Sequence, residues 1–334
     1  MNIVIIGGAG FIGHNLALSL VGKNEVTVID SLAVNNYYSL MADRDAPSHL
    51  MLIAEERLRL LGVVDVPVIR LDASDYNQLS PTLAALEPDV IVHLAAVAHV
   101  DRSNKDPRRT FDNSLITLQN SLDVVRNLPK KPHFIWFSSS TVYGHTEGRT
   151  ISEDDVCYPV GIYARMKTAG EHMVAGYHEA FGVDATVVRP SALYGKRCVS
   201  GRVTQKFMEQ GFAGQPISIY GDGSIQSDFT YIDDLIDGVK RIISKPERSI
   251  GEIFNITGGQ GRTLQELADI VAEVTGAEVL YLPDDPEKLR RDSLSVQLAK
   301  ERLGYTPKFT LESGMVQYMD WYRTFLGRNN RDVA

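Results

Sequence analysis

Cysteine is nearly absent from this 334-residue chain, which contains only Cys157 and Cys198. Two cysteines without a CxxC spacing provide neither a disulfide framework nor a thiolate zinc site. The eight histidines are scattered, and no HExxH or comparable ligand spacing accompanies them. The sequence therefore predicts no metal site.

Long apolar runs and an excess of basic charge are also missing. No run approaches the roughly 20 apolar residues that a membrane-spanning helix requires. Strand-like residues 2–6 start at once, which leaves no room for a signal peptide. With 34 Lys and Arg against 42 Asp and Glu, the net charge of -8 disfavours a phosphate-backbone ligand. We expect a cytoplasmic protein that binds neither membranes nor nucleic acid.

Short apolar segments, rich in β-branched residues, alternate with helical stretches over residues 1–190. Continuously apolar strands are typical of a parallel sheet that is buried on both faces. Such sheets bind ligands at the carboxyl ends of their strands. The fold is therefore predicted to be α/β, a doubly wound Rossmann-type parallel sheet. The predicted strands are Ile3–Gly7, Glu25–Asp30, Val66–Asp72, Val90–Leu94, Phe134–Ser139 and Ala185–Arg189.

The pattern changes after Pro190. Residues 195–223 are rich in glycine and polar side chains, and a helical period returns at residues 263–275, where Thr263 and Glu266 resemble a capping box. We assign residues 1–190 to a dinucleotide-binding domain and residues 191–330 mostly to a smaller C-terminal substrate-binding domain. Segments around residues 228–258 are candidates for a return to the first domain.

A glycine-rich segment follows the first predicted strand. In Gly7–Gly13 the glycines have GxxGxxG spacing, which permits a tight turn and lets backbone N–H groups approach a pyrophosphate at a helix N-terminus. Asp30 ends the second predicted strand, where a carboxylate accepts hydrogen bonds from ribose hydroxyls and repels a 2′-phosphate. We therefore expect NAD rather than NADP; the alternative is a glycine-rich turn without a ligand. Asp72 either contacts the adenine or caps a helix before Tyr76.

Tyr163 and Lys167 lie four residues apart in a predicted helix, so their side chains share one helix face. A free phenol is a poor base at neutral pH, but a fixed ammonium beside it favours the phenolate. A hydroxyl-rich strand end at residues 137–141 lies between this pair and the glycine segment in the sequence. The combination predicts proton transfer next to a bound dinucleotide.

Together these segments resemble the extended short-chain dehydrogenase/reductase family, specifically its nucleotide-sugar epimerases and dehydratases. The resemblance covers nearly the whole chain, and its motifs are specific in this order and at this spacing. They are Gly7–Gly13, residues 93–96 (His-Leu-Ala-Ala), Ser138–Gly144, the Tyr163 and Lys167 pair, Arg189-Pro190 with Tyr194-Gly195, and Asp228–Asp234.

The resemblance implies an NAD cofactor, a nucleotide-sugar substrate and a role for each matching position. Tyr163 is implied to be the general base, and Lys167 to favour its phenolate and to hydrogen-bond the nicotinamide ribose. Ser139 is implied to hold the reacting oxygen; its alternative role is a cap at a strand end. The predicted cofactor-binding residues are Gly7, Gly10, Phe11, Ile12, Gly13, Asp30, Asp72, Ala73, Leu94, Ala95, Ala96, Asn113, Tyr163 and Lys167.

The residues after Ser139 distinguish reactions within the family. Its 4,6-dehydratases carry Thr-Asp-Glu before Val-Tyr-Gly, and the two carboxylates supply the acid and base for loss of water. Here Ser140 and Thr141 stand in place of those carboxylates. A hydroxyl residue at position 141 resembles the 4-epimerases, so we predict an NAD-dependent C4 epimerase. The alternatives are a dehydratase, a keto-sugar reductase and a non-catalytic dinucleotide-binding sensor.

The predicted substrate site departs from the family at two positions. Ala192 and Ser227 replace the asparagine and arginine that usually contact the diphosphate, which removes charge-assisted hydrogen bonds. The candidate substitutes for these diphosphate contacts are Lys196, Arg197, Arg290 and Arg291. The segment around His99 and Arg102 resembles a substrate loop of the dehydratases, or forms an exposed salt-bridged loop. The predicted substrate-binding residues are Ser139, Ser140, Thr141, His99, Arg102, Arg197 and Arg290.

The sequence predicts two amphipathic helices, Phe111–Leu128 and Tyr163–Phe181, which are candidates for an interface between copies of the chain. They resemble helices that family members pack into a four-helix bundle between two copies of the chain. The alternative is that their apolar stripes simply cover the sheet. A homodimer is the expected assembly.

Overall fold

The computed structural model describes residues 1–34, 36–42, 47–97, 100–146, 148–284 and 292–329. Strands and helices alternate through the first 190 residues, as the sequence predicts. The strands are β1 (Asn2–Ile6), β2 (Glu25–Asp30), β3 (Val68–Arg70), β4 (Val90–His93), β5 (His133–Phe137), β6 (Ala185–Arg189), β7 (Leu193–Tyr194), β8 (Ile217–Tyr220), β9 (Gln226–Asp228), β10 (Thr230–Tyr231), β11 (Ile253–Asn255), β12 (Gly261–Thr263) and β13 (Val279–Leu282).

The helices differ widely in length, from one turn to more than five. A π-helical turn at Asp112–Ile116 joins two of them, and a 3₁₀ turn at Ser140–Tyr143 follows β5. The α-helices are α1 (Phe11–Leu20), α2 (Tyr37–Ala42), α3 (Ser48–Val63), α4 (Tyr76–Leu86), α5 (Val100–Lys105), α6 (Pro107–Phe111), α7 (Thr117–Asn127), α8 (Gly161–Phe181), α9 (Val203–Phe212), α10 (Ile232–Ser244), α11 (Pro246–Ser249), α12 (Leu264–Thr275), α13 (Gln297–Leu303) and α14 (Leu311–Asn329).

Seven strands form one parallel sheet in the order β11-β6-β5-β4-β1-β2-β3. Ile3 pairs with Val26 of β2 on one side and with Val90 of β4 on the other. The chain therefore winds away from β1 in both directions, and the point where the strand order reverses lies between β1 and β4. Ligands bind at such reversal points in open α/β sheets. The predicted doubly wound sheet is confirmed.

Alternate residues of β1 enter two different hydrophobic cores. Ile3 and Ile5 belong to the core that α1, α3 and α10 cover. Val4 and Ile6 belong to the core on the opposite face, which α4, α7 and α8 cover. Because side chains alternate along a strand, a sheet with helices on both faces needs apolar residues at every position. This requirement explains the continuous apolar runs of the sequence.

The C-terminal part adds short strand pairs beside the large sheet. β8 pairs in parallel with β13, and β9 pairs antiparallel with β12. Thr263 and Glu266 form the predicted capping box at the start of α12, with Thr263 N donating to Glu266 Oε2 over 2.7 Å. Within this part, β11 joins the edge of the large sheet beside β6, and α10 packs on α1.

The apolar stripes of the two long helices face the sheet. Leu118, Leu122 and Val125 of α7 lie in the core that also contains Trp136 of β5. A Cβ placed on Gly170 of α8 would lie 2.5 Å from the same indole ring. These residues therefore pack on the sheet, as the alternative to a dimer interface predicts. Phe111, at the start of the first predicted helix, is exposed. Among the described residues, no helix combines the length and the apolar character needed to cross a membrane.

Candidate active site

A cavity lies at the carboxyl ends of β1 and β4, where the strand order reverses. We call it the dinucleotide cavity. Its wall brings together three segments that are far apart in the sequence, at residues 6–13, 29–34 and 94–96. It includes the twelve predicted cofactor residues that precede the hydroxyl-rich strand end, namely Gly7, Gly10, Phe11, Ile12, Gly13, Asp30, Asp72, Ala73, Leu94, Ala95, Ala96 and Asn113.

Close contacts require glycine at Gly7 and Gly13 of the opening turn, but not at Gly10. Gly7 has φ +78°, and a Cβ there would lie 2.7 Å from the backbone nitrogen of Ala95. A Cβ on Gly13 would lie 2.4 Å from Gly8 Cα, so only glycine lets α1 pack against the turn. A Cβ on Gly10 would meet only Gly7 O at 3.4 Å. The turn is therefore closely packed at Gly7 and Gly13, and it leaves more space at Gly10.

Asp30 is held in the dinucleotide cavity by the backbone. Its Oδ2 accepts from Ala9 N over 2.9 Å, and its Oδ1 accepts from Leu32 N over 2.7 Å. A carboxylate has about four lone-pair positions, so acceptor capacity remains for ribose hydroxyls. Burial raises the pKa of Asp30, although these two hydrogen bonds act in the opposite direction. The geometry fits the hydroxyl-accepting role predicted for this residue.

Asp72 and Asn113 line the same cavity from different elements. Asp72 Oδ1 accepts from Ser74 N over 2.9 Å, whereas Asp75 provides the N-cap of α4 by accepting from Gln78 N. The helix-cap alternative for Asp72 is therefore wrong. Asn113 lies in the π-helical turn, and such turns are frequent at functional sites.

A second cavity, which we call the catalytic cleft, adjoins the dinucleotide cavity. It is lined by Ser139, Ser140, Thr141, Tyr163 and Lys167, so the structure brings the hydroxyl-rich turn and the tyrosine–lysine pair together. The two cavities share wall residues from the start of α1, the segment after β4 and the segment after β6, which are Ile12, Leu94, Ala96, Leu193 and Arg202. A ligand in the first cavity can therefore reach the reactive side chains of the second.

Lys167 is buried below the cleft. Its Nζ donates to Phe137 O over 2.7 Å and lies 4.9 Å from the centre of the Trp136 ring. Burial lowers the pKa of Lys167 to about 8, and the nearby Glu171 carboxylate partly opposes this effect. An ammonium fixed in this way cannot swing into solvent. It is held in the same cleft wall as Tyr163.

The turn after β5 presents several hydroxyl groups. Ser139 Oγ accepts from Thr141 N over 3.2 Å, and Ser140 Oγ donates to Ser191 Oγ over 3.2 Å. The Thr141 and Ser138 hydroxyls are buried without a hydrogen-bond partner in the described part of the chain. Buried polar groups without partners are rare in proteins. Hydroxyls of this kind in a cleft wall are suited to bind a polar ligand such as a sugar.

The expectation that Arg197 contacts the substrate does not fit the structure. Its side chain points at α1, where Nε donates to His14 Nε2 over 2.9 Å and Nη2 donates to Asn15 Oδ1 over 3.1 Å. Arg197 and Lys196 line a separate surface recess beside α14 rather than the cleft. Arg197 has φ +65°, and this left-handed turn directs its side chain away from the substrate side.

The cleft contains two cations that the sequence did not reveal. Arg202 and Lys206 lie at the start of α9 and line the cleft together with Ala192 and Ser227. Their spacing of four residues on one helix was the available signal. Of the other predicted substrate residues, His99 and Arg290 fall outside the described residues, and Arg102 lies in α5.

A family model for the NAD dependent epimerase/dehydratase family matches residues 3–257. The chain belongs to this family. Its structure is similar to that of UDP-glucuronic acid 4-epimerase from Bacillus cereus in complex with UDP-glucuronic acid and NAD, with a TM-score of 0.85. The two share 27% identity, and the match covers 97% of this chain and 99% of the other.

Relatives of both reaction types are similar in sequence. A probable UDP-glucuronate 4-epimerase from Rhizobium meliloti is 27% identical, with 96% of this chain and 97% of the relative covered. A dTDP-glucose 4,6-dehydratase from Xanthomonas campestris is 25% identical, with 96% and 93% covered. The predicted family and its NAD cofactor are confirmed, and twelve of the residues predicted to hold that cofactor line the dinucleotide cavity.

Proposed function

We propose that this protein is an NAD-dependent nucleotide-sugar epimerase that inverts the sugar at C4. One observation favours an epimerase over a dehydratase. None of the described residues that line the catalytic cleft is an aspartate or a glutamate. Elimination of water needs a general acid and a general base besides the tyrosine. Oxidation and reduction at a single carbon need only one group that exchanges a proton.

Tyr163 is the group that we assign to proton exchange. Its phenolate removes the proton of the C4 hydroxyl as the C4–H bond breaks and a carbonyl forms. When bound, NAD supplies the redox chemistry by taking a hydride from C4 and returning it. After the sugar turns over, the Tyr163 phenol gives its proton back to the new C4 oxygen. Ser139 holds that oxygen in line, and Lys167 supports the charge on the phenolate.

Arg202 and Lys206 are proposed to bind the diphosphate of the nucleotide sugar. Both side chains line the catalytic cleft, and each carries the positive charge that a diphosphate requires. They line the same cleft as Ala192 and Ser227, so their charges replace that of the arginine which the family pattern has in place of Ser227. Lys206→Met is expected to raise KM about tenfold, the loss typical of one charge-assisted contact, with little change in kcat. The exposed Lys300 on α13 offers the control Lys300→Met.

The decisive experiment incubates the purified protein with NAD and a panel of UDP-, GDP-, CDP- and dTDP-linked sugars, including uronic acids. NMR then follows the anomeric and C4 signals, and absorbance follows NADH. We expect a C4 epimer without net formation of NADH. A 4-keto-6-deoxy sugar would identify a dehydratase. In a parallel incubation with NADH in place of NAD, stoichiometric consumption of NADH would identify a reductase.

Tyr163→Phe tests the assignment of the base. Removing a general base typically costs about 10²- to 10⁴-fold in kcat, and we expect at least this loss while NAD still binds. Near-normal turnover in this variant would contradict the assignment. Tyr158, which is exposed, provides the control Tyr158→Phe.

We also propose a homodimer formed by the outer faces of α7 and α8. Phe111 and Phe181 are exposed near these helices, with 44% and 42% of their surfaces accessible. Light scattering on a size-exclusion column is expected to give twice the mass of 37.0 kDa. Glu substitutions at both phenylalanines should then yield a monomer. The cytoplasmic location and the division into domains near residue 190 stay predictions from the sequence.

A further inference from the structure

Arg57 of α3 is completely buried and lines the dinucleotide cavity. Arginine is rarely buried unless a carboxylate or several acceptors surround it. Among the described residues, no carboxylate forms a salt bridge with Arg57, and its Nη1 has no hydrogen-bond partner. Glu56, the preceding residue, faces Arg197 instead, with 3.9 Å between Oε1 and Nη1. The cavity wall therefore contains a cation with one unused donor group.

The other two nitrogens of the guanidinium are fixed to one acceptor. Nε donates to Arg197 O over 3.0 Å, and Nη2 donates to the same oxygen. The left-handed conformation of Arg197 presents this carbonyl oxygen to Arg57. With Nε and Nη2 each donating to this oxygen, Nη1 is the one guanidinium nitrogen without a hydrogen-bond partner among the described residues. The orientation of the side chain is thus set before any ligand binds.

Hydrogen bonds link Arg57 to the first turn of α1. The Arg197 side chain donates to His14 Nε2, and His14 Nδ1 donates to Gly10 O over 2.8 Å. Burial and the two arginines hold the pKa of His14 well below its usual value, so the imidazole is neutral. Gly10 caps the helix N-terminus, whose free N–H groups favour a phosphate. Arg57 is therefore coupled to the place where a pyrophosphate binds.

The charge on Arg57 survives burial. Burial lowers the pKa of Arg57 to about 10, which still leaves the guanidinium protonated at neutral pH. An unpaired buried cation costs stability, and a matching anion removes that cost. Asp30 in the same cavity repels a 2′-phosphate. The pyrophosphate is then the anionic group of the cofactor that the cavity can accept.

We infer that Arg57 Nη1 donates a hydrogen bond to the pyrophosphate of the bound dinucleotide. Arg57 is then a cofactor-binding residue contributed by α3, outside the glycine turn and outside the motifs of the sequence. The inference rests on the NAD dependence of the family and not on the choice of C4 as the reacting carbon. A failed epimerase assay would leave it untouched.

Calorimetric titration of the nucleotide-free protein tests the contact directly. For Arg57→Met we expect NAD and ADP to bind about 10- to 100-fold more weakly, the loss typical of a charge-assisted hydrogen bond. Adenosine, which lacks phosphate, should bind with unchanged affinity. Arg57→Lys keeps the charge without the planar fork and should fall between wild type and Arg57→Met.

Arg59→Met is the matched control. Arg59 lies on the same helix, is exposed, and lines the surface recess beside α14 rather than the dinucleotide cavity. Its replacement removes the same charge and should leave the affinity for NAD unchanged. If NAD binding were weakened equally in the Arg57 and Arg59 variants, the loss would come from the change in net charge, and the inference would be wrong.

Two further outcomes decide against a phosphate contact. Equal loss of adenosine and ADP binding in Arg57→Met would assign Nη1 to the ribose or adenine. A lowered melting temperature of the nucleotide-free variant with unchanged NAD affinity would assign Arg57 a structural role. If the variants do not fold, a crystal structure of the wild-type complex with NAD decides. Nη1 should lie within hydrogen-bond distance of a phosphate oxygen, and a larger separation would refute the contact.

Discussion

The guanidinium of Arg189 forms a two-point hydrogen bond with the carboxylate of Glu171, with Nε to Oε1 at 2.9 Å and Nη2 to Oε2 at 2.7 Å. Both side chains are buried. Nη1 of Arg189 also donates to the Tyr143 hydroxyl over 2.8 Å, and this hydroxyl donates to Asn255 Oδ1 over 2.9 Å. The pair therefore joins the end of β6 to α8 one turn beyond Lys167, and to the turn that begins after Ser139.

Glu171→Gln is expected to destabilise the protein by about 3–5 kcal/mol, because it leaves a buried guanidinium without its counter-charge. Urea denaturation of the nucleotide-free protein measures this loss. Glu179 lies exposed on the same helix, and Glu179→Gln serves as the control. A loss no larger than that of the control would show that the buried pair does not hold α8 on the sheet.

Lys167→Met is expected to abolish turnover and to leave the nucleotide-free protein as stable as wild type, or more stable, at pH 7. The folded pKa of Lys167 is about 8, below the ordinary 10.5. Between these values the unfolded chain binds more protons, so this residue makes wild-type stability rise with pH. The stability difference between variant and wild type should therefore shrink from pH 8 to pH 10. A constant difference would contradict the shift.

Asp228 at the end of β9 should make stability fall as the pH rises from about 4 to 7. Its carboxyl group is buried and accepts from Leu294 N, Gly259 N and Thr257 Oγ1. Burial outweighs these bonds and raises its pKa from 3.8 to about 7. In this range the folded state keeps a proton that the unfolded chain has lost, which disfavours folding as the pH increases.

Denaturation curves of Asp228→Asn between pH 4 and 8 measure that contribution. The stability of wild type relative to this variant should decline across the range. Asp269→Asn, an exposed substitution on α12, should show no such trend. Parallel pH profiles of wild type and Asp228→Asn would rule out the raised pKa.

Gly13→Ala should lower stability by about 1–3 kcal/mol and weaken NAD binding, because the new Cβ would overlap Gly8 Cα at 2.4 Å and displace α1 from the turn. Gly176→Ala on α8 has nothing within 4 Å of the new Cβ. It should be neutral or stabilise by up to about 1 kcal/mol. Thermal melts with and without NAD compare the two. Similar behaviour of both variants would disprove the steric role of Gly13.

Much of the fold was predictable because its signals are local. The strand β2 has the predicted bounds at Glu25–Asp30, and β6 has the predicted bounds at Ala185–Arg189. β3 is shorter than predicted, Val68–Arg70, because only these three residues are paired with residues of β2. Apolar periodicity and glycine spacing are properties of a few consecutive residues. The helices, strands and glycine turn could therefore be predicted without knowing any contact between distant segments.

The positions of the side chains of Arg57, Arg197 and Arg202 could not be predicted from the residues next to them in the sequence. Nothing in their own segments distinguishes the arginine that enters the dinucleotide cavity from the one that turns to α1 or the one at the cleft. Their positions depend on how the segment after β6 folds against α1 and α3, more than 130 positions away in the sequence, as in the Arg57 to Arg197 bond.

The amino-acid sequence alone determined the alternating architecture, the dinucleotide turn and the pairing of Tyr163 with Lys167, since backbone preference and helix periodicity act over short spans. Only the tertiary structure decided which charged side chains line the two cavities. It also showed that the stripes of α7 and α8 cover the sheet and that the described cleft lining lacks a carboxylate. Those outcomes depend on packing between distant segments, and no short stretch of sequence contains that information.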